Sequence, residues 1–348
     1  MLESFERISF SSGWRRIIDG INRIYVAAGG KAPRVEIELP EAQRLALADQ
    51  FAPLVEELEE KRREVMARVD DKARRYALVP GLVVFLLILF VGPGLGGAVV
   101  FGTLVVVGAW VVVQHKEAET YRLEVKERFG TALVRSLSDL TYAATAPPDM
   151  EAIRSWKLFP DLRKVEMEDR MTGRREGREV ALSRLAVTYH RTGGKNSRDL
   201  ILTAVCAEVE FRSGGGGVTV LMPRKAEPRL RDGPRKKHRL GEEATDDPAF
   251  DGAYRVFTDA PRSLAGLLDS RTRGRILALE KGARGGLPYL VFAPGKVVVL
   301  YPVEANVPPF TPPPFYEPLD GDGMLAMFAS DLAGKYRQLA AALGVAGG

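Results

Sequence analysis

The chain has 348 residues, 46% of them hydrophobic and 27% charged, with a formal net charge of +5. That balance excludes a polycation that coats nucleic acid by bulk charge and a disordered acidic tail, and the length allows about two domains with cores of their own. A single cysteine, Cys206, excludes an intrachain disulfide framework and suits a reducing compartment; in the apolar run from Leu200 to Phe211 it reads as a buried structural thiol rather than a nucleophile.

Residues 1–40 carry Glu3, Glu6, Arg7, Arg15 and Arg16, which interrupt any apolar core of a cleaved signal peptide. Trp14, Ile17, Ile18, Ile21, Ile24 and Tyr25 recur at helical spacing, so an amphipathic helix is expected, packed on the rest of the protein or lying on a lipid surface. The alternation from Arg34 to Leu39 predicts a short strand. Residues 41–77 then predict a stalk helix. Its seam of Leu47, Phe51, Leu54, Leu58, Val65 and Val69 has coiled-coil spacing, and Pro53 marks a start or a kink.

Residues 78–113 contain no charged side chain. A helix needs about 20 apolar residues to cross a bilayer, so the stretch predicts a transmembrane hairpin of two short spans. Gly92, Pro93 and Gly94, followed by Gly96 and Gly97, supply the turn, since proline removes a helix donor and glycine permits a reversal. Arg68, Lys72, Arg74 and Arg75 precede the hairpin, and Lys116, Arg122, Lys126 and Arg128 follow it. The positive-inside rule then places both termini in the cytoplasm of a bacterium, with two spans in the inner membrane and the lipid bilayer as a partner. A re-entrant loop and a hairpin buried in a protein core are the alternatives. Residues 114–146 predict a returning stalk helix through Tyr121, Val125, Phe129, Ala132 and Leu140, paired antiparallel with the first. Such a seam could also hold a homo-oligomer or a protein partner.

From 147 to 223 the composition becomes strand-like, with runs at Val165–Glu168, Val180–His190, Leu200–Phe211 and Val218–Met222. Residues 224–247 read as an exposed charged loop, basic and then acidic, in which Arg235, Lys236, Lys237 and Arg239 are candidate contacts to an anionic surface. Residues 248–348 predict strands near Tyr254–Phe257, Ile276–Leu279, Tyr289–Phe292 and Val297–Tyr301, a helix from Pro261 to Leu268, and a closing helix from Gly323 to Leu343. The class is α+β: a membrane hairpin and stalk joined to a mixed, largely antiparallel sheet.

Motifs of chemistry are scarce. Gly193-Gly194-Lys195-Asn196 lacks the first glycine and the hydroxyl of a phosphate loop, and Gly214–Gly217 joins strands rather than opening a helix. Asp320-Gly321-Asp322-Gly323 lacks the spacing of a calcium loop. His115, His190 and His238 stand apart, outside any zinc-ligand spacing. No catalytic residue, cofactor or metal site is assigned. The basic segment lacks the interleaved aromatics of a single-strand binder, which argues against nucleic acid.

Asp246-Asp247-Pro248-Ala249-Phe250, then Tyr254-Arg255-Val256-Phe257-Thr258-Asp259, and later Phe315-Tyr316-Glu317-Pro318 before a last helix, resemble a bacterial two-span membrane family catalogued as domain of unknown function 3137. The resemblance covers roughly Glu41 to Leu343 in layout. It departs where Pro261-Arg262-Ser263-Leu264 replaces an alanine-arginine pair, and it implies topology and a cytoplasmic α+β part but no catalytic residues. Two functional classes compete: a membrane-anchored scaffold or binding module, and a membrane-bound enzyme acting on a lipid or peptide.

Overall fold

The computed structural model describes residues 41–73, 75, 79–91, 95–189, 200–211, 216–226, 230, 233–279, 286–303, 312–313 and 317–347. The expected amphipathic helix and strand in 1–40, the turn residues Gly92, Pro93 and Gly94, the Gly193–Asn196 turn, His190 and the Phe315-Tyr316 pair lie outside them.

Three helices form an arm. Helix α1 spans Glu41–Ala73, α2 Val79–Val91 and α3 Leu95–Leu137. Helix α1 continues through Pro53 despite the donor that proline removes, because its buried stripe is held by α3. Leu58, Val65 and Val69 pack against Tyr121, Val125 and Phe129, and the Phe51 and Phe129 rings lie 5.2 Å apart. Lys61 to Glu124 at 2.6 Å, Arg128 to Glu57 at 2.6 Å and Lys72 to Glu117 at 2.5 Å run along the seam in antiparallel order.

Among the described residues no helix is long and apolar enough to cross a membrane. This corrects the expectation of two transmembrane spans in 78–113, and with it the membrane class and the two-span inner-membrane placement. The shorter arm shows the physical reason. Helix α2 has 13 residues, about 20 Å at 1.5 Å per residue, against a hydrocarbon core of about 30 Å. A two-span hairpin needs both legs to reach across, and α2 does not, whatever the length of α3.

The rest is a nine-stranded sheet in the order β1-β2-β3-β4-β9-β8-β5-β7-β6, with every neighbouring pair antiparallel. Its strands are β1 Thr141–Thr145, β2 Leu162–Arg175, β3 Arg178–Tyr189, β4 Leu200–Glu210, β5 Thr219–Pro223, β6 Gly241–Glu243, β7 Tyr254–Thr258, β8 Tyr289–Ala293 and β9 Lys296–Pro302. The interspersed helices are α4 Met150–Ser155, α5 Pro248–Ala253, α6 Pro261–Leu267, α7 Ser270–Ala278 and α8 Gly321–Ala346. Strands β2 and β3 are joined through Glu176 and Gly177, both at positive φ (52° and 76°), the pattern of a tight hairpin turn.

Both faces of the sheet are covered, so its central strands are apolar on both sides. Val205, Ala207, Val297 and Val299 face a core shared with α1, α3 and α8. Their neighbours Ala204, Cys206, Val298 and Leu300 face a second core closed by Ile153, Trp156, Leu158, Leu230 and Leu240. Cys206 is buried there, and burial pushes its thiol up, which makes it inert. The predicted strand at Ile276–Leu279 is instead the end of α7, where Ile276 is buried. The returning stalk helix stops at Leu137, and Thr141–Thr145 becomes the edge strand β1.

Candidate functional site

The most concentrated polar chemistry in the described structure lies where the arm meets the sheet. Lys126 points from α3 away from solvent, with no exposed surface, and its Nζ lies 2.9 Å from Asp169 Oδ1 and 3.1 Å from Glu168 Oε2. Lys335 comes from α8, with Nζ 2.7 Å from Asp331 Oδ2 and 3.5 Å from Asp169 Oδ2. The Tyr142 hydroxyl, on β1, donates to Asp169 Oδ1 at 2.7 Å. One carboxylate thus ties together α3, α8, β1 and β2.

The local backbone explains how Asp169 reaches this position. It stands in β2 at φ 52°, in a register shift between Glu168 and Met171, and the extra residue turns its side chain toward the helices. Burial would raise its carboxyl, but the charges of Lys335 and Lys126 outweigh that and hold it below the usual carboxylate range. Burial would likewise lower Lys335, and Asp331 with Asp169 reverses the direction and raises it. Burial pushes the Tyr142 phenol upward, and the neighbouring Asp169 charge adds to it. Asp169 and Lys335 therefore keep their opposite charges while Asp169 is solvent-free and Lys335 nearly so. The centre of the set is sealed, while Glu168 and Asp331, with side chains 34% and 31% exposed, reach the surface. Its chemistry is that of a clamp.

A second tie joins α1 to the segment before α8. Glu59 accepts from Arg62 Nε and Nη2 at 2.7 Å each and from the Leu319 amide at 3.1 Å. The hydrogen bonds from Arg62 lower its carboxyl to about 2 against the opposing effect of burial.

The four cations singled out in the sequence lie elsewhere. Arg235, Lys236 and Lys237 are exposed on a π-helical turn, Gly233–Lys237, and exposed Arg239 follows at φ 54°. The turn has an ordered base: Leu230 and Leu240 are buried in the second core, His238 Nε2 lies 2.9 Å from the Phe159 carbonyl, and a side chain on Gly233 would strike the Leu158 carbonyl. The basic turn thus packs against the opposite face of the sheet from the arm, and the structure does not join it to the charge clamp. An open groove of about 250 Å³ lies between the β2–β3 turn and α8, lined by Arg175, Glu176, Tyr336, Leu339, Ala340 and Leu343. Its cation and tyrosine are engaged with each other and with Ser138.

The acids between Asp247 and Asp259 hold turns. Asp247 caps α5 by accepting from the Ala249 and Phe250 amides at 3.1 Å and is bound by Arg273, while Asp251 accepts from Thr245. Asp259 accepts from the Val218 amide at 2.7 Å and from Lys157 at 2.6 Å. His115 is exposed, and no group of side chains suited to a metal ion occurs among the described residues.

Sequence reasoning missed the clamp, although two signals were present. Lys335 lies on the buried stripe of α8 with Phe328, Leu332 and Leu339, and Glu168-Asp169 breaks the alternation of β2. No family model and no curated protein matches this chain. Among solved structures, the crystal structure of the mycobacterial trehalose monomycolate transport factor A, TtfA, is similar at a TM-score of 0.33 and 10% identity, over 62% of this chain and 92% of that one.

Proposed function

We propose that the protein is a binding scaffold in which a double-faced sheet holds a helical arm at a fixed angle and displays its far end. The observation that carries this reading is the buried clamp of Lys126, Asp169 and Lys335, which places three buried charges at the joint between arm and sheet. Such a joint favours one geometry, because every alternative leaves a buried charge without its partner. Asp247 and Asp259 serve the same framework, since the first caps α5 and the second fastens the Val218 amide and Lys157.

The test is a distance measurement. Spin labels are placed on exposed positions of arm and sheet through Thr103→Cys and Arg163→Cys, with buried Cys206 left in place. A single narrow distance distribution that broadens when Asp169→Ala is added is the expected result. A broad distribution in the labelled parent would show a freely swinging arm and end the scaffold reading.

A further inference from the structure

The end of the arm carries an apolar surface that neither the sheet nor the clamp uses. On α2, Leu82, Leu87 and Phe90 are 59%, 59% and 81% exposed; on α3, Val100, Leu104 and Val112 are 57%, 60% and 68% exposed. Water is a poor neighbour for so much contiguous hydrocarbon, and an exposed patch of this kind marks a contact surface.

The distribution of these side chains identifies the occupant. At about 100° per residue, Leu82, Leu87 and Phe90 fall within about 140° of the α2 wheel. The opposite side of α2 bears Gly81 and Phe85, which approach Val106 and Gly102 of α3. Leu104 and Val112 lie within about 120° of Val100 on α3, again opposite the side that meets α2. The glycines set this close approach: a Cβ on Gly102 would lie 3.2 Å from that of Phe85, and one on Gly81 would run into Val106. Because each helix turns its contact side to the other, the two exposed arcs look away from each other. The apolar surface therefore wraps the pair. A protein docked on one side covers one arc and leaves the other in water, and a second copy on each side builds an open-ended array rather than a closed dimer. A fluid apolar medium covers both arcs at once.

Charge agrees with that occupant. The sequence holds no charged residue between Arg75 and Lys116, and both of these are exposed at the base of the hairpin, as is Arg68. Immersed to that depth, the hairpin brings these cations to the level of lipid phosphates. Asp71 lies 3.0 Å from Arg75, and Glu117 is shared between Lys72 at 2.5 Å and Arg68 at 3.8 Å, so the collar keeps a small positive excess and the apolar contact dominates.

We propose that the α2–α3 hairpin dips, without crossing, into the hydrocarbon of a phospholipid surface, making a lipid bilayer the partner that the scaffold engages. The proposal rests on the scaffold reading, which supplies the fixed arm. It is tested by flotation of the full chain with phosphatidylcholine vesicles, with and without phosphatidylglycerol, at about 0.1 M and about 0.5 M salt. The chain should float with both compositions, with less than about a twofold change across salt. Leu87→Ser, Phe90→Ser and Leu104→Ser together should lower the bound fraction roughly tenfold. These side chains are exposed, so the thermal midpoint of the triple variant should match the parent and exclude misfolding as the cause. Equal flotation of parent and triple variant overturns the proposal. So does binding confined to anionic vesicles, reversed by salt and lost when Arg235, Lys236, Lys237 and Arg239 become glutamine, because the basic turn is then the contact. A dimer that the triple variant dissolves, in a chain that does not float, assigns the surface to a second copy and also overturns it. None of these results alters the spin-label distances, so failure of the lipid contact is distinguishable from failure of the scaffold.

Discussion

Asp169 combines three costs that a strand residue seldom bears together: a φ of 52°, complete burial and a full charge. The burial and the charge are offset by specific neighbours, since Lys126 and Lys335 supply the opposite charge and the Tyr142 hydroxyl a donor. Asp169→Asn isolates the charge, because asparagine also tolerates the left-handed region and fills the same volume. Removing one partner of a buried ion set leaves the others uncompensated, so a loss of about 3–5 kcal/mol is expected in urea unfolding. A loss below about 1 kcal/mol would show that water reaches the cluster. Glu59 makes a prediction in pH. Its carboxyl is lowered to about 2 from 4.5, chiefly by the hydrogen bonds from Arg62. The folded state therefore binds fewer protons than the unfolded one in that window, so this contribution is present above about pH 4.5 and fades as pH falls toward about 2. Between about pH 6 and about pH 3 the unfolding midpoint of the parent should fall more steeply than that of Glu59→Gln. Parallel curves would remove Glu59 from the account.

At the scale of elements, two glycines of α3 separate helix propensity from packing. Gly108 has open space where a Cβ would sit, so Gly108→Ala should stabilise by about 0.5–1 kcal/mol through backbone entropy. Gly130 has the Tyr142 ring there, and that ring is fixed by its bond to Asp169. The same substitution at Gly130 gains the same propensity but overpacks a buried joint at a cost of about 1–3 kcal/mol, so the net sign should reverse. Thermal midpoints of the two variants check it, and equal shifts would show that the ring moves aside freely. The long helices and most strands were legible because their apolar spacing is local: Leu58, Val65 and Val69 announce α1, and the runs at Leu200–Phe211 and Val297–Tyr301 announce β4 and β9, whereas the six-residue helices α4 and α5 are too short to show a period. Ile276–Leu279 was misread because four apolar residues fit a strand and a helix end equally. The uncharged run at 78–113 was legible as apolar, but composition does not reveal that α2 closes after 13 residues. The clamp was hidden for a different reason. Lys126, Asp169 and Lys335 are far apart in the chain and meet through a bulge and two helix placements, none of which leaves a fixed spacing.

Across the whole molecule, the central strands belong to both cores at once, and this decides how the protein unfolds. Leu290 on β8 faces the core that includes the arm, whereas Leu300 on the adjacent β9 faces the other, and both are fully buried. Leu58 belongs to the arm itself, yet it lies in the same core as Leu290. A sheet buried on both faces does not release one layer and keep the other, because the strands left behind would expose an apolar face to water. Arm, sheet and outer cover should therefore unfold together. Leu58→Ala, Leu290→Ala and Leu300→Ala should each cost about 2–5 kcal/mol, and each should displace a single transition seen identically by tryptophan fluorescence and by far-ultraviolet circular dichroism. The decisive variant is Leu58→Ala. If it splits the circular-dichroism transition and lets the helical signal melt first while the fluorescence of Trp156, read with Trp14 and Trp110 replaced by phenylalanine, stays in place, the arm is a separate folding unit, and the clamp fastens two bodies rather than completing one.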